Sequence, residues 1–291
     1  MDTVLLGTGL LGEAIGQRLL LQGHRLTVWN RTPQRCAALV SAGATLAPSP
    51  AAAVAAGELV LTVLADGATT AAVLLEQAGP ALAGRLVVQL ATIAPSDSVA
   101  LAEALAPLTC AYLEAPVLGS RPEALAGRLQ VMVGGSEAAL ERALPLLHAL
   151  DPAPRHLGGV GAASHTKLAL NQLIASLTHS FSLSLHLVQQ AGVDVEAFMA
   201  ILRGSALYAP TFDKKLAKEL ADDYGNPNFP TAHLRKDLNL FVEAARAQGL
   251  NPEGLGGLQL LLGRASDAGL DALDYSALHR LTRRPQLEAE V

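Results

Sequence analysis

The stretch that decides the reading of this chain is Val4-Leu5-Leu6-Gly7-Thr8-Gly9-Leu10-Leu11-Gly12-Glu13-Ala14-Ile15. An apolar run that begins at Thr3 ends in a glycine-rich turn, and a helix is predicted from that turn to about Gln22. The first glycine permits the tight turn, the second lets a pyrophosphate approach the backbone, and the third lets helix and strand pack closely. The helix then offers phosphates its unpaired N–H groups and a partial positive charge. A Gly-x-Gly-x-x-Gly turn alone is weak evidence, but here a strand, a helix and a second strand stand at the distances a dinucleotide site requires. Gly7, Thr8, Gly9, Leu10, Leu11 and Gly12 are therefore predicted cofactor contacts.

At the end of the second strand an acidic residue would accept the ribose 2′-hydroxyl of NAD. The chain has Trp29-Asn30-Arg31-Thr32 instead. Arg31 can pair with a 2′-phosphate, and Asn30 and Thr32 can hydrogen-bond it, so NADP, and NADPH over NADH, is favoured. Against this stands a plainer possibility: Arg31 is a solvated residue after a strand, and Thr32 caps a helix that starts at Pro33.

Beyond this point short apolar runs alternate with helical stretches: Arg25–Trp29, Leu59–Leu64, Leu86–Leu90, Thr109–Ala115, Leu129–Val133 and Arg155–Leu157. The pattern is that of repeated βαβ units, a doubly wound, mostly parallel α/β sheet of the Rossmann type. After Gly161 the strand signals stop. A long helix is predicted over Ala162–Gln190, then shorter ones at about Val195–Leu202, Phe212–Leu220, Thr231–Gln248 and Leu255–Ala268. The expected domains are 1–160, holding the dinucleotide, and 161–291, an all-α substrate and dimerisation domain that begins with the long interdomain helix. Leu168, Leu170, Leu173, Ile174, Leu177, Phe181, Leu183, Leu185 and Leu187 point to nearly every face of that helix, and either the same chain or a second subunit must cover them.

Composition narrows the partners. Lys and Arg number 21 against 26 Asp and Glu, and a formal charge of −5 leaves no footprint for nucleic acid or an anionic membrane. The apolar start is interrupted by Gly7 and Gly9 and has no basic leader, so it reads as a strand rather than a signal peptide. No membrane span is evident. Cys36 and Cys110 have neither disulfide nor zinc spacing, which fits two ordinary thiols in the cytoplasm, and no metal is expected.

For chemistry, Lys167 and Asn171 are four apart on one face of the long helix. An ammonium on an otherwise apolar helix is costly to desolvate, and a lysine there is a plausible acid for the oxygen formed when hydride reaches a carbonyl. Spacing alone equally allows Lys167 to snorkel to water. His165 lies about 200° around the helix from Lys167 and cannot serve the same site. His179 and His186 have no carboxylate at a suggestive spacing and read as structural or surface residues.

These residues together resemble the β-hydroxyacid dehydrogenase family, the group containing 3-hydroxyisobutyrate dehydrogenase and the glyoxylate/succinic semialdehyde reductases. The likeness covers almost the whole chain. It rests on the glycine turn, Thr92 before Pro95, Glu114-Ala115-Pro116-Val117-Leu118-Gly119-Ser120, the Lys167/Asn171 segment and Lys236-Asp237-Leu238. The resemblance implies NADPH-dependent reduction of a small aldehyde or keto acid, semialdehyde- or glyoxylate-like, with Lys167 as general acid and Asn171 as its partner or the substrate's. It implies that Leu64, Ala65, Thr69 and Thr92 line the nicotinamide side and that Lys236 reaches towards the cofactor. Thr92, Leu118, Gly119, Ser120, Lys167 and Asn171 would meet the substrate, and the subunits would form a homodimer or homotetramer through the helical domain. The chain departs from the family pattern where Asp is usual at 114 and Ser-Gly-Gly at 118–120: Leu118 removes a hydroxyl that would help hold a substrate carboxylate, and Ser120 is a possible substitute donor. A non-catalytic NADPH-binding or sensing protein, or a reductase of an uncharged carbonyl or imine, is the alternative; Lys167 speaks against the imine reductases, which usually lack it.

Overall fold

A computed structural model describes residues 2–283. The chain divides into two compact units, Met1–Leu168 and Ala169–Val291. In chain order the first contains β1 (Asp2–Leu6), α1 (Leu10–Leu21), β2 (Arg25–Trp29), α2 (Ala37–Ser41), β3 (Thr45–Leu46), α3 (Pro50–Ala55), β4 (Leu59–Thr62) and α4 (Gly67–Ala71). It continues with β5 (Leu86–Gln89), α5 (Pro95–Leu105), β6 (Ala111–Glu114), β7 (Val117–Leu118), α6 (Arg121–Ala126), β8 (Gln130–Gly135), α7 (Glu137–Leu150) and β9 (Arg155–Gly158).

The strands lie in the order β3-β2-β1-β4-β5-β6-β8-β7, with β9 also paired to β8. Every pair from β3 to β6 is parallel, as is β8 with β9; only β8 against β6 and β7 is antiparallel. The first six strands thus follow the 3-2-1-4-5-6 order of a dinucleotide fold, and the order reverses between β1 and β4, where a crevice opens at the strands' carboxyl ends. Alternation in the strands explains the two-sided burial. Leu5, Val28, Leu61, Val88 and Leu113 face one layer, with Ile15, Leu19 and Leu146 of α1 and α7. Val4, Leu6, Val60, Val87 and Tyr112 face the other, with Val54 of α3 and Leu101 of α5. Strands buried on both faces need unbroken apolar runs, and β4 and β5 are buried at every residue.

The 29-residue helix α8 (Ala162–Gln190) starts in the first unit. The boundary between the units falls inside it, after Leu168. The second unit adds α9 (Val195–Arg203), α10 (Pro210–Ala221), α11 (Thr231–Ala247), α12 (Gly256–Asp267) and α13 (Leu278–Leu281). No strand longer than an isolated bridge, Pro230 with Asp274, occurs there among the described residues. One core gathers Ala175, Leu234, Leu238, Leu262 and Leu278; another stacks Phe181 on Phe212 at 4.7 Å between ring centres, beside Leu185 and Met199. No helix among the described residues is long and apolar enough to cross a membrane.

Candidate active site

In the first unit the loops that leave the carboxyl edge of the parallel sheet converge, and the glycine turn after β1 shows how much each glycine is needed. Gly7 has φ +99°, and a Cβ there would sit 2.3 Å from the Val63 carbonyl oxygen. A Cβ at Gly12 would sit 2.1 Å from the Gly7 oxygen, so the third glycine admits the turn itself against α1. At Gly9 a Cβ would meet nothing within 4 Å. The middle glycine therefore borders open space at the start of α1, whose first turn has no side-chain cap. Its early N–H groups point at that space, an arrangement that suits a pyrophosphate.

At the end of β2 the Asn30 amide is spent within the chain. Its Oδ1 accepts from the Thr8 N–H at 3.2 Å and its Nδ2 donates to the Thr32 carbonyl at 3.0 Å, tying the glycine turn to the next loop. Arg31 and Thr32 are exposed, and the Thr32 hydroxyl does not cap the helical turn that follows. Arg31 borders a cleft of about 510 Å³ lined also by Trp29, Pro48, Ser49 and Gln77 among others, and Thr32 is not part of that lining. Arg31 is the one charged residue among the lining groups. A cleft with a guanidinium and no carboxylate suits a phosphate better than a ribose hydroxyl. Pro48, Ser49 and Gln77 were not singled out by sequence, since only the fold brings them to the end of β2.

Leu64, Ala65 and Thr69 follow β4, and Thr92 follows β5. A buried polar set beneath them holds the two loops: Thr62 Oγ1 donates to Gln89 Oε1 at 2.8 Å, the Ala91 N–H donates to the same oxygen at 3.0 Å, and Gln89 Nε2 donates to Thr70 Oγ1 at 3.3 Å. Asp66 caps α4 by accepting the Thr69 N–H at 2.7 Å.

Glu114, at the end of β6, has no exposed surface. Its Oε1 accepts from the N–H groups of Gly161 (2.8 Å), Ala163 (2.7 Å) and Ser164 (3.3 Å), and its Oε2 accepts the hydroxyls of Ser164 and Ser98, both at 2.6 Å. Because Ser98 gives its proton to Glu114, the Tyr112 hydroxyl 2.9 Å away must donate to Ser98. Burial pushes the Tyr112 phenol well above its ordinary pKa, which keeps that proton in place. Gly134 makes room, since a Cβ there would lie 2.3 Å from Glu114 Oε1. The carboxylate of one strand end thus caps α8, whose second turn carries Lys167, buried to 8% exposure. Spacing left open whether that lysine snorkels to water; in the fold the residue is mostly buried.

A Rossmann unit with an open phosphate-binding turn, followed by a helix that opens on a buried lysine, is matched by two family models: the NAD binding domain of 6-phosphogluconate dehydrogenase over residues 2–156, and the NAD-binding domain of NADP-dependent 3-hydroxyisobutyrate dehydrogenase over residues 161–282. The chain belongs to the β-hydroxyacid dehydrogenase family. It is 30% identical to the 2-hydroxy-3-oxopropionate reductase of Escherichia coli over 96% of both chains. It is 28% identical to glyoxylate/succinic semialdehyde reductase 1 of Arabidopsis thaliana over 96% of this chain and 97% of that one. Among solved structures, a 3-hydroxyisobutyrate dehydrogenase of Salmonella typhimurium superposes with a TM-score of 0.86 at 25% identity, covering 96% of this chain and 99% of the other. As a member of this family, the chain is an NAD(P)-dependent oxidoreductase, and a nicotinamide dinucleotide is its cofactor.

Within this β-hydroxyacid dehydrogenase, the turn at 118–120 behaves differently from what its sequence suggests. Ser120 does not offer a spare donor: its N–H and hydroxyl both go to Glu123 Oε2, at 2.8 and 2.7 Å, because the serine starts α6 and closes a capping box with the glutamate three residues on. Sequence reasoning missed this, although Ser-x-x-Glu is the signature of such a box.

In the second unit Asn171 and Lys236 meet at Asp237. Asn171 Nδ2 donates to Asp237 Oδ2 at 2.6 Å, and Lys236 Nζ stands 3.1 Å from Oδ1. Adjacent helix positions face different ways, but the flexible lysine stem folds back to reach its neighbour. Asp237 can only accept, which fixes the amide's orientation, and Asn171 Oδ1 is left buried without a hydrogen-bond partner. His165 Nδ1 is engaged with the Gly161 carbonyl at 2.7 Å, a structural role. His186 stacks on His279, 3.7 Å between ring centres, and His279 Nδ1 lies 3.5 Å from the buried Glu219, a pairing that spacing along the chain did not reveal. Among the described residues no group of His, Cys, Asp and Glu could hold a metal ion, and Cys36 and Cys110 are both free and buried.

Proposed function

We propose that the protein uses NADPH to reduce a small carbonyl compound, an aldehyde or keto acid of the glyoxylate and semialdehyde kind, to the hydroxy compound, with Lys167 as the general acid. The observation that carries this reading is the buried ammonium on the second turn of α8, held by the Glu114 cap to the sheet edge from which the glycine turn and the β4 and β5 loops also emerge. Gly7 to Gly12 would hold the pyrophosphate, Arg31 and Thr32 the 2′-phosphate, and Leu64, Ala65, Thr69, Thr92 and Lys236 the nicotinamide half. When bound, the dinucleotide supplies hydride to the carbonyl carbon. Lys167 gives its proton to the carbonyl oxygen as charge develops there, and regains it from solvent between turnovers. Asn171, one helical turn on, offers its unpaired Oδ1 as an acceptor for the substrate hydroxyl or the lysine ammonium.

Lys167→Ala tests the assignment: NADPH oxidation with an aldehyde panel falls by about 10²–10⁴-fold while NADPH still binds. Turnover that survives this change removes Lys167 from its role. Self-association through the helical unit belongs to the same proposal. Leu173, Leu183 and Leu187 of α8 are 51%, 45% and 71% exposed and fall within a stripe of about 80° on the helix, an apolar face that a second copy would cover. Sedimentation of wild type against Leu187→Glu checks it, a dimer or tetramer that dissociates being the expected result. A cytoplasmic location is the matching expectation, checked by fractionating cells that express the native chain.

A further inference from the structure

The segment that continues α4 winds one residue wider than an α-helix. Ala72–Ala78 is a π-helical stretch, in which each turn closes five residues on rather than four, and such stretches are rare and fall often at functional sites. Its consequence here is the direction of Gln77. Val73 and Leu74 are buried in the layer that holds Val4, Leu6 and Val60. α-Helical winding, at about 100° per residue, would set Gln77 roughly 40° from Val73 and roughly 60° from Leu74, between the two and facing the core. The wider turn brings Ala78 over Val73 instead, and Ala78 is buried in the same layer. Gln77 is left exposed and lines the cleft at the end of β2.

That cleft has the make-up of a nucleoside pocket. Trp29, Leu46, Pro48 and Pro50 give it apolar walls that suit a flat ring, and Arg31 gives it a cation for a phosphate. Asn30 joins it to the glycine turn, since the same side chain lines the cleft and accepts the Thr8 N–H at 3.2 Å. A dinucleotide with its pyrophosphate on that turn and its ribose phosphate at Arg31 brings its base into the cleft. Of the two amide side chains in the lining, Asn30 is held by Thr8 and Thr32, whereas Gln77 has no hydrogen-bond partner among the described residues. A glutamine amide matches one edge of adenine: Oε1 accepts from the N6 amino group while Nε2 donates to N7. Hypoxanthine, with an oxygen in place of that amino group, presents two acceptors on the same edge and forfeits one of the two bonds.

We propose that Gln77 reads the adenine base of the dinucleotide and is a specificity-determining residue for the cofactor, aimed into the cleft by the π-helical turn. The proposal rests on the reading that places the pyrophosphate on Gly7 to Gly12 and the adenosine end beside Arg31. It does not depend on Lys167, on the carbonyl substrate or on the choice between NADPH and NADH.

The single tryptophan of the chain, Trp29, lines the cleft, so quenching of its fluorescence reports binding without turnover. NADP⁺ and its hypoxanthine analogue, nicotinamide hypoxanthine dinucleotide phosphate, are titrated into the full chain, as wild type, Gln77→Ala and Gln77→Leu. Because Gln77 is exposed, both variants are expected to fold as wild type does, which their circular dichroism checks. The expected result is a Kd for NADP⁺ about tenfold or more below that for the analogue in wild type, and a preference that vanishes in both variants because NADP⁺ weakens while the analogue changes little. Equal affinity of wild type for the two dinucleotides overturns the proposal, as do variants that weaken both equally or bind NADP⁺ as wild type does. Arg31→Ala separates the two readings. If it weakens NADP⁺ and NAD⁺ alike, the phosphate assignment fails, and base preference is read from NAD⁺ against nicotinamide hypoxanthine dinucleotide, with the same outcomes deciding. If no dinucleotide binds, the cofactor reading fails and takes the proposal with it.

Discussion

A carboxylate with no exposed surface is stable only where hydrogen bonds replace its water, and Glu114 receives five. Glu114→Gln keeps the shape but turns one oxygen into an NH₂ group. Whichever way the amide lies, that group faces donors: the Ser98 and Ser164 hydroxyls on one side, the α8 N–H groups on the other. The expected cost is about 2–4 kcal/mol in urea unfolding, from lost bonds and donors left unpaired. Gly134→Ala reaches the same contact from behind, since its Cβ would lie 2.3 Å from Glu114 Oε1 and 2.8 Å from the Gly159 oxygen, both in rigid surroundings. The two changes should be less than additive when combined, because they break one contact. At the cofactor end Arg31→Ala is expected to weaken NADPH binding about 10–100-fold and NADH binding far less, as fluorescence titration would show; equal loss for both would remove Arg31 from a 2′-phosphate role. The glycine turn at 7–12 and the missing acidic residue beside Arg31 are local facts that a sequence shows directly. The partners of Glu114 are 16 to 50 residues away, so sequence showed that residue only as a glutamate where aspartate is usual.

At the scale of elements, legibility followed length. Helix α8 was predicted from Ala162 to Gln190 and spans those residues, since 29 residues of helix former with no internal Gly or Pro leave little choice. The strands β3 and β7 have two residues each, too few for any period to show, and neither was expected. They matter nonetheless, because β7 places Leu118 opposite Gln130 and so sets the turn that follows. The start of α8 is where an element depends on one distant side chain. Helix N-termini leave their first N–H groups unpaired, and here Glu114 takes three of them. Hydrogen exchange in Glu114→Gln should therefore show faster exchange at Gly161, Ala163 and Ser164 while amides near Leu185 keep their protection. Uniform loss along α8 would mean that the carboxylate supports the whole helix rather than its first turn.

At the scale of the whole molecule, the two units should answer differently to pH, because the second buries a set of ionisable groups that the chemistry does not use. Glu219 of α10 faces Ser182 of α8, Lys215 of its own helix, Asp274 and Tyr224 of the adjoining segments, and His279 of α13, on whose ring His186 of α8 stacks. Burial pushes the Glu219 carboxyl up from 4.5 to about 8 and the His279 imidazole down from 6.5 to about 4. At neutral pH both are uncharged, so their 3.5 Å approach is a contact of a carboxylic acid with a neutral ring. The raised carboxyl contributes stability that is whole below pH 4.5 and is lost as pH climbs towards 8, because the unfolded chain gives up that proton first. The depressed histidine contributes stability that is whole above 6.5 and is lost as pH falls towards 4, because the unfolded chain takes up a proton that the fold refuses. Between 4.5 and 6.5 the slopes oppose each other, and a plateau is expected; above 6.5 only the Glu219 slope remains, about 1.4 kcal/mol lost per pH unit. Urea unfolding followed by a probe in the helical unit measures it, and Glu219→Gln, which cannot titrate, should flatten the profile above pH 6.5 and turn the plateau between 4.5 and 6.5 into a rise with pH, because the His279 slope is then unopposed. A variant that declines as steeply as wild type above pH 6.5 would place the loss on another group and leave Glu219 ionised in the native fold.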